Sequence, residues 1–437
     1  MDEHADAHYV SPEQLQIGIY VHLDLGWMDH PFSFSSFKIR SDTQLGQLRY
    51  LGLARIRYSP ERSDCEPLPI AVENEVVVPL HPVASAPGSG PLVNTAIQEK
   101  RARAERLKAR RALFSRCEKE FRHTTQAVKL LNQNLLARPD WVGEEAKLVV
   151  GQLVDCLSVD GDMAINLMAD RIGAEDSYVH SLNVAVLSLM LARELGMNRD
   201  ELVSLGLGAL MHDIGKMDVP PKVLMKEEAL TGEENALLKE HVGFGVKSAA
   251  RIGLSPDVLA VIAQHHEHID GSGYPRGLTG DNMSLMAKIV AIANTYDNLC
   301  NPKNPARGMT PHEALALMYA QLRNRFEGAA LNTFIRCLGV YPPGTIVVLN
   351  NDAFGLVVSV NSSRPLKPEV VLYDRSIPKD EAIILSLENE PQIQIARTLR
   401  PGQLPRTIFN YLAPRDRVSY FFEANPPDSA DLVGHSA

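Results

Sequence analysis

Six residues between His180 and His266 have the types and the order of a metal centre. His212-Asp213 closes an apolar helical run, Leu202 to Met211, and is followed by Ile-Gly-Lys216. An imidazole beside a carboxylate, where a buried helix ends, makes poor core, and burying that charge unpaired is expensive. A divalent cation is the simplest partner. Asp213 has two oxygens and can bridge two metals while His212 binds one. His241 lies in Lys239-Glu-His-Val-Gly243, and His265-His266 form a pair. Adjacent helical residues point about 100° apart, so that pair implies two tasks or two metals. His180 lies on the apolar stretch Tyr178 to Leu195 and faces inward if that helix is buried. Any one of these histidines alone is an ordinary core or surface residue. Together, with Asp213 among them, they read as ligands.

The elements that must hold them are helical. From Glu144 to about Leu338 apolar residues recur with helical spacing, and Tyr178 to Leu195 is apolar around most of its circumference, as expected at the centre of a bundle. Pro220-Pro221, Gly271-Ser-Gly-Tyr-Pro275 and Asn301-Pro-Lys-Asn-Pro305 mark loops. Segments such as Ile17 to Leu23 and Val76 to Leu80 are β-rich. A punctuated linker starts at His81, and a charged stretch, Gln98 to Arg122, continues with helical patterning to about Leu136. That stretch is expected to be a solvated helix joining two domains; a signalling helix, a homodimer contact or a basic patch are the functional alternatives. After Tyr341-Pro-Pro-Gly the pattern turns to strands, a small meander, and the last dozen residues read as a loose tail. The expected fold is therefore mainly α, a helical bundle with a small β-rich N-terminal domain and a short C-terminal meander. The expected divisions are residues 1–80, a regulatory domain; 81–143, linker and connecting helix; 144–340, the helical domain; and 341–437, meander and tail.

Composition narrows the setting. The 437 residues are 45% hydrophobic and 22% charged, as in an ordinary globular protein, and 44 basic against 53 acidic side chains give a net charge of −9. A mildly acidic chain does not suggest a DNA or RNA polymer as partner. An anionic ligand would need a local attractor, which bound cations supply. The five cysteines are scattered and odd in number, consistent with free thiols in a reducing compartment. The acidic N-terminus is unlike a signal peptide, and no apolar run approaches about 20 residues, so a cytoplasmic protein with no membrane span is expected.

The motif His212-Asp213-Ile-Gly-Lys216, followed by His265-His266-Glu-His-Ile-Asp-Gly-Ser-Gly-Tyr-Pro275, resembles the two signatures of the HD-GYP domain, a subgroup of the HD phosphohydrolases. Val219-Pro-Pro-Lys-Val-Leu224, Leu230-Thr-Gly-Glu-Glu234, His241-Val-Gly-Phe-Gly245 and Tyr341-Pro-Pro-Gly-Thr-Ile-Val-Val-Leu349 agree with it, so the resemblance spans roughly 176–359. Leu15 to Asp24, with Trp27, Pro31 and Phe32, is similar to the uncharacterised domain that often precedes HD-GYP. The resemblance implies a cyclic di-GMP phosphodiesterase forming pGpG, GMP or both, with two iron or manganese ions, or three, held in a helical bundle. His180, His212, Asp213, His241, His265 and His266 would be the ligands, with Asp213 as the bridge. Two such metals would supply Lewis acidity toward a phosphoryl oxygen and would lower the pKa of a shared water, the metal-bridging hydroxide that the resemblance implies. Lys216 would stabilise charge on the scissile phosphate. Asp270, Gly273, Tyr274 and Pro275 would form a ligand rim, in which glycine permits close backbone approach and Tyr274 stacks or hydrogen-bonds. The same loop also works as a turn that positions the His265-His266 helix.

The sequence departs from that family in three places. Where most members have Ala-Asp, this chain has Ala293-Asn294, an uncharged oxygen ligand that should bind metal less tightly, while Asp297 follows three residues on. Asn301 to Arg307 differs from the usual loop but still offers Lys303 and Arg307 to a phosphate. Asp176, four residues before His180, stands where members with three metals carry a Glu. The alternative to an enzyme is therefore an impaired HD-GYP domain acting as a cyclic dinucleotide receptor or a module for signalling-protein partners.

Overall fold

The apolar run from Tyr178 to Ala192 forms the central helix of a bundle, α4 (Asp176–Glu194), and Leu182, Val184, Val186, Leu189 and Leu191 are wholly buried along it. Each such side chain contributes about 1.5–3 kcal/mol on burial, so packing outweighs the modest helix propensity of its valines. The computed structural model describes residues 8–25, 30, 32, 35–69, 91–135, 137–157, 164–168, 176–226, 228–375, 377–379, 382–414 and 417–422. The expected strand at Val76 to Leu80, the linker after His81, Trp27, Pro31 and the tail beyond Phe422 lie outside these residues, as does the side chain of Asp176.

α4 packs on α5 (Arg199–Met211), α10 (Leu285–Cys300) and α12 (Gly328–Leu338), while α5 also meets α3 (Pro139–Leu157) and α9 (Pro256–Gln264). The start of α5 is fixed by a capping box: Asn198 Oδ1 accepts from the Asp200 and Glu201 amides, and Glu201 Oε2 accepts from Asn198 N. Its last residue precedes His212, and the chain then tightens into a 3₁₀ turn, Ile214–Asp218, which packs on α8 (His241–Arg251). Gly215 permits this approach, since a Cβ there would lie 2.0 Å from His241 O. The close contact sets Asp213 and Lys216 against His241.

The chain divides into two units, residues 1–111 with 374–382 and residues 112–373 with 383–437. In the first, β1 (His8–Val10), β2 (Tyr20–His22), β3 (Ser36–Lys38) and β4 (Ile56–Tyr58) form an antiparallel sheet in the order β1-β4-β2-β3. With α1 (Asp42–Tyr50) they enclose a small core of Leu15, Ile19, Val21, Ile39, Leu48 and Ile56. The charged stretch lies in one helix, α2 (Pro91–Asn134). Its later half buries Cys117, Phe121, Thr125, Val128 and Leu131, which recur every third or fourth position.

The bundle is mainly helical, as its sequence implies, but its sheet is larger than a meander. β6 (Ile346–Leu349), β7 (Phe354–Asn361) and β8 (Glu369–Leu372) form the expected antiparallel run. β5 (Ala164–Leu167) pairs with the end of β7 beyond β6, and β11 (Tyr420–Phe422) pairs with β5. β9 (Ile384–Ser386) extends β8 and β10 (Ile395–Leu399) pairs with β6, giving seven strands. β5 gave no signal because four residues between helices carry little pattern; its partners lie some 200 residues later in the chain. All five cysteines are free, as expected.

Candidate metal centre

Local backbone carbonyls set the orientation of three imidazoles. His212 Nδ1 donates to Ala209 O at 2.7 Å, His241 Nδ1 to Leu238 O at 2.6 Å, and His265 Nδ1 to Ile262 O at 2.8 Å. In each case the acceptor is three residues back, which is where a helix end leaves carbonyls in need of donors. His180 on α4 differs: its Nδ1 lies 2.6 Å from Asp297 Oδ2, a carboxylate on α10. These oxygens accept, so each of the four rings carries a proton on Nδ1 and, when neutral, turns a lone pair on Nε2 inward.

Those lone pairs converge. His180 Nε2 and His212 Nε2 are 3.2 Å apart, and His241 Nε2 and His265 Nε2 are 3.3 Å apart. When the rings are neutral neither contact has a proton to share, and a cation is the partner that both pairs then lack. Asp213 stands between the pairs. Its Oδ2 is 3.3 Å from His212 Nε2 and 3.6 Å from His180 Nε2, and its Oδ1 is 3.4 Å from His241 Nε2 and 3.8 Å from His265 Nε2. Oδ1 is buried without a hydrogen-bond partner, a defect of about 1–3 kcal/mol or more for a charged group. The result is two donor groups that share Asp213: His180 and His212 on one side, His241, His265 and His266 on the other. Imidazole nitrogens and one bridging carboxylate suit first-row divalent metals, so the residues fit the metals that the sequence implies.

Protonation favours the same use. Burial, reinforced by neighbouring imidazoles, pushes His265 well below its ordinary range. Burial, with His241 adding to it and Asp213 opposing, does the same to His266. Burial also lowers His241 against the pull of Asp213. Ligands must be unprotonated to bind metal, and these rings are neutral near pH 7. Burial alone would raise Asp213, but His212 and the Lys216 ammonium outweigh it and hold the carboxyl well below the usual range. Lys216 Nζ pairs with Asp213 Oδ2 while about a third of its side chain remains exposed.

The Asp270 to Pro275 loop folds back over the His265-His266 turn. Tyr274 N donates to His266 O, and the Tyr274 ring stacks on His266 with centroids 4.5 Å apart. A Cβ on Gly273 would lie 2.5 Å from His266 O, so only glycine fits there. Glu267, wholly buried, completes the loop by accepting from the Arg276 and Leu278 amides at 2.7 and 2.9 Å.

The other expected site residues have the following surroundings. Asn294 is buried on α10, with Oδ1 accepting from Asn298 Nδ2 at 2.7 Å. Lys303 Nζ donates to Leu224 O and Lys226 O. Asp270 is exposed, its Oδ1 accepting from Ser272 N, and Arg307 is exposed on a 3₁₀ turn; Pro275 is part of the folded-back loop. Asp176 opens α4, beyond which nothing is described of it. Missing from the sequence reading were Asp297 as the partner of His180, Glu267 as the loop anchor, and one face of α2. Lys129, Asn132 and Gln133, at helical i, i+3 and i+4 positions, join Tyr178, Ser181, Asp213 and Lys216 in lining a cleft of about 330 Å³. A polar amide within an apolar helix, such as Asn183, was the one legible hint of the buried network around Asp297.

A helical bundle that gathers His, His-Asp, His and His-His around one shared carboxylate defines the class of HD-type metal-binding domains. Residues 162–330 match the HD domain. Residues 9–145 match a domain of unknown function (DUF3391), and residues 346–406 match a KOW domain associated with the HD domain. The chain is 27% identical over 372 residues to the cyclic di-GMP phosphodiesterase PA4108 of Pseudomonas aeruginosa, covering 82% of this chain and 83% of that protein. It is 30% identical over 200 residues to the cyclic di-GMP phosphodiesterase PdeB of Borreliella burgdorferi, covering 46% of this chain and 53% of the relative. Among solved structures it is similar to Bd1817, an HDG"Y"P protein from Bdellovibrio bacteriovorus, with TM-score 0.41 and 16% identity over 75% of this chain and 98% of that one. Among the described residues no helix is long and apolar enough to cross a membrane.

Proposed function

We propose that this chain is a metal-dependent phosphodiesterase of the HD-GYP type that hydrolyses cyclic di-GMP to pGpG, GMP or both, with residues 1–80 as a regulatory domain. The observation that carries the reading is the convergence of four imidazole Nε2 atoms on the two oxygens of Asp213. His180, His212 and Asp213 would hold one metal, and Asp213, His241, His265 and His266 the other. Bound iron or manganese supplies Lewis acidity toward a phosphoryl oxygen and lowers the pKa of a shared water.

The chain's own residues do the rest. Lys216, already paired with Asp213 and partly exposed, stabilises negative charge as it grows on the phosphate. Burial holds His241, His265 and His266 neutral, so these three rings bring no competing proton. The polar wall of Lys129, Asn132 and Gln133 holds the part of the dinucleotide beyond the scissile phosphate. Hydrolysis adds water across one P–O bond, leaving a phosphate monoester end and a hydroxyl. The test is anaerobic turnover of cyclic di-GMP by protein loaded with Fe(II) or Mn(II), beside Asp213→Ala. Metal-dependent product that the variant loses supports the reading, and product retained by Asp213→Ala rejects the shared carboxylate.

A receptor is the second reading, favoured by one observation: the Asn294 oxygen is uncharged and already engaged by Asn298. Binding of the dinucleotide without turnover in metal-loaded protein would select it.

A further inference from the structure

Of the four oriented imidazoles, His180 alone is held by a residue distant in the chain. His212, His241 and His265 donate to carbonyls three residues back, a contact each helix provides by itself. His180 instead depends on Asp297, and Asp297 depends on two asparagines. Asp297 is wholly buried, and its Oδ1 accepts from Asn183 Nδ2 at 2.8 Å and from Asn301 Nδ2 at 2.9 Å.

Both asparagines are clamped by the backbone that leads into β11. Asn183 Nδ2 also donates to Val418 O at 2.9 Å, and its Oδ1 accepts from Tyr420 N at 3.1 Å. Asn301 Nδ2 donates to Val418 O at 2.8 Å, and its Oδ1 accepts from Val418 N at 2.8 Å. Every polar atom of the two amides is thus shared between one buried carboxylate and one short backbone segment. Without that segment each amide loses its backbone partners and is free to turn, and the carboxylate loses its fixed angle.

We infer that residues 417–422 are a working part of the metal centre: through Asn183 and Asn301 they fix Asp297, which fixes the tautomer and angle of His180. The inference rests on the two-metal reading above and adds an asymmetry to it. The group containing His180 and His212 takes its affinity from the C-terminal strand, whereas the group containing His241, His265 and His266 does not. Asn183, Asn301 and Asp297 are positioning residues. Partners that orient a metal-bound histidine typically account for about 10–100-fold in metal affinity.

The test is equilibrium titration of Mn(II) into metal-free full-length protein, followed by electron paramagnetic resonance of the loaded samples. Wild type should bind two ions and show the spin-coupled signal of a pair. Asn301→Ala should weaken one ion about 10–100-fold, leave the other unchanged, and replace the coupled signal with that of isolated Mn(II). Wild type that binds fewer than two ions rejects the two-metal reading, and the inference with it. Two ions in wild type with Asn301→Ala unchanged, or weakened equally at both sites, overturns the relay alone. Hydrogen exchange on wild type tests the same link without a variant. Coupling is reciprocal, so Mn(II) should slow exchange at the Val418 and Tyr420 amides. Unchanged exchange there also overturns the relay.

Discussion

Tyr274 stacks on His266 with ring planes 22° apart, so the residue that closes the loop also covers one imidazole of the metal centre. An aromatic pair of this kind contributes about 0.5–1.5 kcal/mol beyond its area. Tyr274→Ala should therefore weaken Mn(II) at the group containing His266 by up to about tenfold, while Tyr274→Phe keeps the stack and the affinity. Calorimetric titration of both variants decides it; equal loss in the two would assign the effect to the hydroxyl instead.

Lys216 touches Asp213 but is not needed to hold metal, because five imidazoles and both carboxylate oxygens remain without it. Lys216→Gln should keep two ions while kcat falls about 10²–10³-fold, the range for one lost donor to a charged transition state. Loss of metal in that variant would make Lys216 structural.

Lys129 enters the cleft from a helix that precedes the HD domain. Its ammonium also lies 5.8 Å from the Tyr178 ring centroid. Lys129→Ala should raise KM for cyclic di-GMP about tenfold, as one charge-assisted hydrogen bond of roughly 1.5–3 kcal/mol predicts at its lower end, with kcat little changed. Steady-state kinetics at two salt concentrations check it. An unaltered KM removes the α2 face from the substrate site.

His22 supplies a pH dependence in the other unit. Burial, with Arg57 and Arg62 nearby, lowers it from 6.5 to about 4. Between those values the unfolded chain binds a proton that the folded one does not, so the stability from this group is complete above about pH 6.5 and is lost as pH falls toward 4. Amide exchange protection in strands β2 and β4 should drop across that window. His22→Gln should flatten the drop, and a slope that persists unchanged would assign it to other groups.

The sequence by itself determined the ligand types and their order. His212-Asp213, His241 and His265-His266 stand at helix ends, and a helix end supplies the carbonyl that orients the His212, His241 and His265 rings. Both the position and the tautomer of those residues are therefore local properties, which is why short motifs carry them. The bundle was legible for a similar reason, since the burial of α4 is written in consecutive apolar residues. Only the tertiary structure decided the surroundings of His180. Asp297 reads as a helical neighbour of Asn294, yet its carboxylate faces His180, 117 residues earlier, and Asn183 and Asn301 meet a strand more than 100 residues later. Likewise β5 needed β7 and β11 to become a strand, and the charged helix α2 gave no sign that Lys129, Asn132 and Gln133 line the cleft. Periodicity and spacing report which face of an element is buried; they carry no information about which distant groups complete a buried carboxylate's hydrogen bonds.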